Sequence, residues 1–337
     1  MGMSPAGGGK NGASPRHLIN ADGASFDSEL ARLEVALSEL GNAERKGYRN
    51  ANATAIATHS AARLLIVAGP GSGKSFLFLS RIEFWLPLDA DSQIYVSSFV
   101  RKLVRDLRGD VERELSDTFR QRVTVTTLHG LARSLLERSR GTADQPLNQH
   151  INVITDGWPA VVWSDVRQFH SGLNSAHSAR ALEKQFHTEE FVNDSKWNQL
   201  RATYFLLCRF YNAVGFADMV LLARQAVDER PGLIAHEFWI VDEYQDFNAA
   251  ENHLVRTLTT AAKGVVIAGD DEQALYQELK ASHPEIIISY DGDPNFANAM
   301  LPYCSRCSYY VCMAASAFIA NGRPSGTIKK IYLTASR

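Results

Sequence analysis

The stretch RLLIVAGPGSGKSFLFL, at residues 63–79, constrains the fold of this chain more than any other. A short apolar run ends in a turn with three glycines, and a second apolar run follows the turn. Short apolar runs bounded by glycine are typical of buried strands, whereas helical patterning after a turn indicates a helix. The stretch therefore predicts a strand, a glycine-rich turn and a helix, which is an α/β unit.

The turn AGPGSGKS is chemically suited to a chain of phosphates. Glycine permits backbone angles that aim several N–H groups at one point, and the N-terminus of the next helix adds partial positive charge. Lys74 supplies a full charge for the β- and γ-phosphates, and the Ser75 hydroxyl can ligate Mg²⁺. We therefore predict a P-loop that binds a nucleoside triphosphate. Its phosphate-binding residues are Ala68, Gly69, Pro70, Gly71, Ser72, Gly73, Lys74 and Ser75.

One position of this turn departs from the strict P-loop pattern. Ala68 stands where that pattern has glycine. The alternative is an ordinary glycine-rich turn between a strand and a helix. The strand before the turn and the helix after it favour the P-loop.

The alternation of apolar runs and helical patterning recurs along the chain. Helical patterning after short apolar runs predicts a parallel sheet covered by helices. The helical pattern between residues 140 and 232 predicts a helical subdomain inserted before the fourth strand, and residues 26–46 predict one amphipathic helix. The predicted strands are residues 63–68, 93–98, 122–127, 237–242 and 264–269.

The composition is that of an ordinary globular protein, with 45% hydrophobic and 21% charged residues and a net charge of −2. This net charge does not indicate a nucleic-acid partner, although a local basic surface can still bind phosphates.

No apolar run approaches the roughly 20 residues of a membrane helix, and the N-terminus lacks a signal-peptide core. Three of the four cysteines crowd near the C-terminus, unlike a secreted disulfide pattern. We expect a cytoplasmic protein with no membrane partner.

Two adjacent carboxylates follow a buried strand in the run FWIVDEYQD, residues 238–246. Asp242 is placed to hold Mg²⁺, directly or through water, and Glu243 is placed to polarise the attacking water as a general base. An adjacent acidic pair suits hydrolysis because one charge serves the metal and the other serves the nucleophile. The alternative is a solvated acidic loop, which the preceding apolar residues disfavour.

The next strand end carries the sequence IAGDDEQALYQ. Gln273 in this run is placed to reach the γ-phosphate and to report its loss. A polar turn after a strand is the alternative, and it would be favoured if this motif stood alone.

In chain order, the motifs AGPGSGKS, TTLHG, VDEYQD and GDDEQALY resemble those of superfamily 1 helicases of the UvrD/Rep type. The run VSSFVRKLVRDLR, residues 96–108, is similar to the motif after the second strand in that family. The run YCSRCS, residues 303–308, is similar to a later motif that carries an arginine finger. The resemblance extends from about residue 50 to about residue 325, and its specific part is the pairing of DEYQD with GDDEQALY.

The resemblance implies a P-loop NTPase with a RecA-like parallel sheet, and ATP with Mg²⁺ as its ligands. It implies that Asp242 binds Mg²⁺ and that Glu243 is the general base, as their residue types also indicate. It further implies that Gln273 contacts the γ-phosphate. Arg306 matches the arginine that neutralises charge in the transition state. The alternative for Arg306 is an ordinary surface arginine. The catalytic set is therefore Lys74, Asp242, Glu243, Gln273 and Arg306.

The resemblance also implies that loops at the strand ends contact DNA, both single strands and duplex junctions. Phe99, His129 and Tyr276 lie in the corresponding motifs, and single strands are usually held by phosphate contacts and base stacking. Residues 101–140 hold ten Arg and Lys against six Asp and Glu, and Arg101 begins a stripe of arginines on one helix face. The alternatives are a solvated helix face and, for His129, a satisfied buried histidine.

Four departures from the family pattern bear on these expectations. Ala53 stands at the spacing of the glutamine that recognises adenine, and Leu279 and Lys280 replace an aromatic and an arginine of the third motif. Ser75 replaces the more usual threonine. Few residues follow the expected start of the second RecA-like half, so we expect the first half of a two-part motor, with a separate chain as one source of the second half.

The resulting division of the chain has five segments. They are a disordered N-terminal segment at 1–25, a first part of the RecA-like domain at 26–135, a helical insertion at 136–232, a second part of the RecA-like domain at 233–295, and the start of a truncated second RecA-like domain at 296–337.

The predicted function is that of an ATP-dependent DNA helicase with 3′-to-5′ direction, the direction being implied by the resemblance alone. The first alternative is a non-motor module that binds DNA or protein under control of ATP. The second is a P-loop kinase, which DEYQD and GDDEQALY disfavour because a kinase does not need a hydrolytic glutamate.

Overall fold

The computed structural model describes residues 19–20, 39–98, 101–139, 150–154, 157–234, 236–274, 281–322, 328, 330 and 332–334. The strands are β1 (Ile19–Asn20), β2 (Arg63–Ala68), β3 (Ile94–Ser97), β4 (Val123–Thr126), β5 (Asn152–Val153), β6 (Ala213–Val214), β7 (Phe238–Val241), β8 (Gly264–Gly269), β9 (Ala297–Leu301), β10 (Tyr303–Cys304) and β11 (Leu333–Thr334). The helices are α1 (Asn42–Ala57), α2 (Lys74–Trp85), α3 (Arg101–Glu114), α4 (Asp117–Arg120), α5 (Leu128–Ser139), α6 (Trp158–Phe169), α7 (Ala179–Thr188), α8 (Ser195–Phe210), α9 (Phe216–Glu229), α10 (Ala249–Thr259), α11 (Glu285–Ile288) and α12 (Tyr309–Gly322).

The centre of the fold is a seven-stranded sheet in the order β1-β9-β2-β8-β7-β3-β4. Six of these strands run parallel, and β1 pairs antiparallel with β9 at one edge. The five predicted strands are all present, and together with the P-loop turn they confirm the predicted α/β fold. Because the central strands are parallel, their carboxyl ends meet at one edge of the sheet.

Alternating side chains of the strands build two apolar layers, one on each face of the sheet. In β2, Leu64 and Ile66 pack in the layer that contains α1, α2 and α3. Leu65 and Val67 pack on the opposite face, in the layer that contains α5, α9 and α10. The helices therefore cover both faces, and the carboxyl edge of the sheet is where polar residues are placed.

The helical segment predicted before the fourth strand is present as α6, α7, α8 and α9. A separate apolar cluster, built around Trp163, Phe186 and Tyr204, joins these helices to one another. The last of them, α9, also packs against α5 and α10 of the sheet layer. Strands β5 and β6 pair with each other, and Ala213 of β6 belongs to this cluster.

The structure differs from the sequence prediction at the boundary placed at residue 296. Residues 297–301 form β9, which pairs along its whole length with β2 of the first sheet. The boundary is therefore wrong for this strand, because its backbone hydrogen bonds belong to the first domain. The remaining divisions stay predictions.

Two N-terminal expectations fall mainly outside the described residues. The segment 1–25 was expected to be disordered, and this is wrong for Ile19 and Asn20, which pair with Ala299 and Asn298 of β9. Residues 26–38 of the helix predicted at 26–46 lie outside the described residues. The rest of that prediction has the wrong bounds, because α1 begins at Asn42 and continues to Ala57.

Among the residues that the structure describes, none of the helices combines the length and the apolar character needed to cross a bilayer.

The N-terminus of α10 is capped by Asn248, and the contribution of this cap to stability can be measured. The Asn248 side chain accepts a hydrogen bond from the Glu251 backbone N–H at 2.9 Å, and Glu251 Oε2 accepts one from the Asn248 N–H at 3.0 Å. Removing such a cap costs about 1–2 kcal/mol. We expect Asn248→Ala to lower the free energy of unfolding by about that amount in urea titrations, and Asn248→Ser, which keeps an acceptor, to lose less. Equal losses in the two variants would contradict the capping role.

Candidate functional site

The P-loop turn lies between β2 and α2 at the carboxyl edge of the sheet. Gly71 and Gly73 have φ angles of 68° and 98°, which a residue with a side chain rarely adopts. The Ser72 hydroxyl donates to the Gly69 carbonyl oxygen at 2.8 Å and closes the turn. The turn therefore presents its backbone N–H groups beside the N-terminus of α2, as expected for an anion cradle.

Lys74 connects this turn to the acidic pair after β7. Its ammonium lies 3.2 Å from Glu243 Oε1 and 3.8 Å from Asp242 Oδ1. Burial disfavours the charged lysine, but Asp242 and Glu243 attract it more strongly, and the pKa of Lys74 is raised. The structure thus brings together three residues that lie about 170 positions apart in the chain.

Asp242 is buried, with 6% of its surface exposed. Burial raises the pKa of Asp242 to about 7; Glu243 adds to the rise and Lys74 opposes it. A divalent cation beside it would favour the carboxylate form, so the residue is chemically suited to the predicted Mg²⁺. Ser75, the other predicted ligand, is exposed in the first turn of α2.

Glu243 adopts a backbone conformation that is unusual for a glutamate. Its φ angle is 54°, in the left-handed region, where a residue with a side chain costs about 1–3 kcal/mol and is often found at a functional site. Its N–H donates to Asp242 Oδ1 at 2.9 Å, and its Oε2 accepts from Gln245 Nε2 at 2.8 Å. These bonds leave Oε1 facing Lys74.

Gln245 is a site residue that the sequence motifs leave without a predicted role. It is 2% exposed, and its Oε1 accepts from the Asp270 N–H at 3.1 Å. A Cβ on Gly269 would lie 2.4 Å from that Oε1, so the glycine makes room for the amide. Gln245 therefore links the loop after β7 to the loop after β8. Its place within DEYQD is the signal that could have identified it.

The predicted γ-phosphate residues lie at the same edge. The amide of Gln273 donates to Asp270 Oδ2, within the turn that follows β8. Arg306 lies against the P-loop, since a Cβ on Gly71 would be 2.5 Å from Arg306 Cβ. The neighbouring Ser305 donates to the Gly71 carbonyl oxygen through its N–H and its hydroxyl, at 3.0 and 2.8 Å. These contacts bring the arginine motif to the turn, and the roles of both residues stay predictions.

Two of the predicted DNA-contacting residues, Phe99 and Tyr276, lie outside the described residues. Arg101 is exposed at the first turn of α3. His129 is half-buried in α5, with Nε2 3.8 Å from Glu251 Oε1 and its ring edge-on to Phe216 at 4.9 Å. The contacts of His129 agree with its alternative interpretation, a packed histidine with a partner. The DNA roles stay predictions.

Two residues near the C-terminus belong to this site and have no sequence motif. The Lys330 ammonium lies 2.6 Å from Asp270 Oδ1, and the Tyr332 hydroxyl donates to Asp270 Oδ2. Tyr332 also packs on the P-loop, since a Cβ on Gly69 would be 2.5 Å from its ring. No pattern in the sequence indicates that these residues come back to the carboxyl edge of the sheet.

Comparison of the sequence with known proteins identifies the family of the chain. The sequence model described as the UvrD/REP helicase N-terminal domain matches residues 49–295. DNA helicase II of Salmonella typhimurium and DNA helicase II of Escherichia coli are each 26% identical over 286 residues, which cover 77% of this chain and 38% of the relative. The ATP-dependent DNA helicase PcrA of Leuconostoc citreum is 25% identical over 301 residues, which cover 81% of this chain and 39% of the relative.

The chain thus spans about two fifths of the length of these curated relatives. The matched region contains β2, β7 and β8, whose carboxyl ends carry the P-loop, the acidic pair and Gln273. Since the family model matches well over half of its residues, the chain belongs to the UvrD/REP helicase N-terminal domain family.

Proposed function

We propose that this chain binds ATP with Mg²⁺ at the P-loop and hydrolyses it in response to single-stranded DNA, as the first motor half of a 3′-to-5′ DNA helicase. The observation that carries the proposal is the meeting of Lys74 with Asp242 and Glu243, at 3.8 and 3.2 Å. This contact supports the proposal because a cation that could bind the phosphates lies beside two carboxylates that could serve the metal and the water. The direction of movement rests on the resemblance alone.

The residues that would hold Mg²⁺ are Ser75 and Asp242. When bound, Mg²⁺ neutralises phosphate oxygens and orients the triphosphate. Asp242 suits this role because its buried carboxyl group lies 3.8 Å from the P-loop lysine, at the same edge of the sheet. Ser75 is an exposed residue of the first turn of α2, which begins directly after Gly73.

Lys74 and Glu243 have linked roles in this proposal. In the structure the ammonium of Lys74 neutralises Glu243. Phosphates in the cradle would draw the ammonium toward themselves and leave Glu243 Oε1 free to accept a proton from water. Gln245 would keep the carboxylate oriented through its bond to Oε2. The left-handed backbone of Glu243 sets the direction in which its Cα–Cβ bond leaves the main chain.

Gln273 and Arg306 would contact the γ-phosphate from two sides. Gln273 lies on the loop after β8, and Arg306 lies beside Gly71 of the P-loop. Their donors would stabilise the charge that develops as the terminal phosphate leaves. A second RecA-like half, from this protein or from a separate chain, would complete the charge clamp.

The DNA partner is proposed from the motif positions and from the relatives, whose names describe DNA helicases. Arg101 and Arg105 are exposed on α3 and are available for phosphate contacts. The third arginine of the stripe, Arg108, donates to the Val125 carbonyl oxygen at 2.6 Å and is used within the fold. Phe99, His129 and Tyr276 would supply contacts to the bases or the backbone.

The test is the rate of ATP hydrolysis with and without an oligothymidylate strand, together with ATP binding measured by titration. We expect ATP to bind in the presence of Mg²⁺ and turnover to increase on addition of the single strand. ATP binding without turnover in either condition would favour the non-motor module. Failure to bind ATP at all would contradict the proposed function.

A further inference from the structure

The three carboxylates that follow β8 share a buried lysine from the C-terminal segment. The side chain of Lys330 is 1% exposed, and its ammonium lies 2.6 Å from Asp270 Oδ1 and 3.6 Å from Glu272 Oε2. The same ammonium also contacts Asp271 Oδ1. Three consecutive carboxylates beside a triphosphate would repel it. Lys330 reduces the charge of this group from −3 to −2 at the place where the γ-phosphate is proposed to bind.

Asp270 is the centre of this cluster. Its carboxylate accepts from the Glu272 N–H at 3.2 Å, and from the side chains of Gln273, Lys330 and Tyr332. Burial acts to raise the pKa of Asp270, but Lys330 and these donors outweigh it, and the pKa is lowered. The carboxylate therefore remains ionised, and its position is fixed by groups from two distant parts of the chain.

Asp270 is hydrogen-bonded, directly or through one residue, to the loop after β8 and to the loop after β7. It holds the Gln273 amide directly, through Oδ2. Its own N–H donates to Gln245, and Gln245 donates in turn to Glu243. A displacement of Asp270 would therefore move the proposed γ-phosphate sensor first and the proposed general base second.

The segment that carries Lys330 and Tyr332 is anchored beside the P-loop. Strand β11 pairs with β10, and the Leu333 N–H donates to the Pro302 carbonyl oxygen at 2.7 Å. The Tyr332 ring lies on Gly69, where a side chain of any size would collide with it. Tyr332 thus touches the cradle with its ring and Asp270 with its hydroxyl.

We infer that Lys330 and Tyr332 are positioning residues of the nucleotide site, which act through Asp270 to aim Gln273 and to lower the negative charge beside the γ-phosphate. This inference rests on the proposed function, since it concerns the same site. It predicts an effect on ligands with a γ-phosphate and little effect on ADP. A residue that served only the fold would change the affinity for both nucleotides alike.

The test compares the dissociation constants of ADP and of a non-hydrolysable ATP analogue, both with Mg²⁺, by titration against the full chain. For Tyr332→Phe, which keeps the ring on Gly69, we expect the analogue to bind about threefold to tenfold more weakly, because Asp270 loses a donor. ADP affinity is expected to remain within about twofold. Tyr310→Phe is the matched control, because it removes a hydroxyl from a residue of α12 that is 82% exposed.

Charge balance is tested with a second pair of variants. Lys330→Met leaves three carboxylates without their ammonium, and we expect the analogue to bind about tenfold or more weakly than to the wild type. Adding Asp271→Asn restores the original charge of the cluster and should recover part of that loss. The double variant also covers the case in which Lys330→Met alone does not fold, which thermal unfolding would reveal.

The outcomes separate the inference from the proposed function. A wild-type chain that binds neither nucleotide defeats the proposed function, and the inference with it. A wild-type chain that binds both, with an unchanged ratio of the two constants in Tyr332→Phe, overturns the inference alone. A selective loss of the analogue in Tyr332→Phe, with Tyr310→Phe unchanged, supports it.

Discussion

Replacing Glu243 by glutamine is expected to lower the rate of ATP hydrolysis about 100- to 10,000-fold, the range typical for loss of a general base. The amide cannot accept the proton of the attacking water. It can still accept the hydrogen bond that Gln245 Nε2 gives to Oε2, at 2.8 Å in the structure. The variant keeps the size of the side chain, so the left-handed turn at this position has no new steric demand. Single-turnover hydrolysis measures the effect.

The affinity for ATP must be measured together with the rate, because a loss of ATP binding would also lower the rate of hydrolysis. If Glu243 acts on water, the affinity for ATP stays within about threefold of the wild type or rises, since one negative charge near the phosphates is removed. Glu190→Gln is the matched control, because it removes an exposed carboxylate from the helical segment. A rate equal to that of the control variant would show that Glu243 is not the base.

Most of the central sheet could be predicted because its strands carry their own signal. Strands β2, β7 and β8 are buried on both faces, so their sequences are continuous apolar runs between turn residues. Strand β9 was missed because ANAML contains small residues and a polar Asn298. Its place beside β2 is decided by backbone pairing and not by an apolar pattern.

The candidate site could be predicted in part for a topological reason. Lys74, Asp242 and Gln273 each follow a strand of one parallel sheet, and parallel strands end at the same edge. Local motifs therefore sufficed to place them near one another. The unusual backbone of Glu243 and the bridge made by Gln245 are consequences of packing between two loops, which single motifs do not contain.

Lys330 and Tyr332 show where prediction from sequence ends. They meet Asp270 across 60 and 62 positions of the chain, and neither lies in a recognisable pattern. Their position at the carboxyl edge of the sheet depends on the pairing of β11 with β10 and on the absence of a side chain at Gly69. Contacts of this kind depend on tertiary packing, so they are seen only in the three-dimensional structure.

Replacing Lys74 by methionine is expected to weaken ATP binding about 100-fold, which corresponds to about 3 kcal/mol for the loss of charge-assisted bonds to phosphate. Methionine preserves most of the length of the side chain and its apolar stem, so packing between β2 and α2 is retained. The variant removes only the ammonium that lies between the P-loop and the acidic pair. Titration with ATP and Mg²⁺ measures the loss.

The same change has a second consequence inside the protein. Lys74 opposes the rise that burial causes in the pKa of Asp242, so its removal raises that pKa further. A higher pKa favours the neutral carboxyl group, which makes the residue a poorer ligand for Mg²⁺. Lys263→Met is the matched control, because Lys263 pairs with Asp89 at the surface and lies outside the proposed site. If Lys74→Met bound ATP as tightly as this control, the ammonium of Lys74 would not be a phosphate ligand.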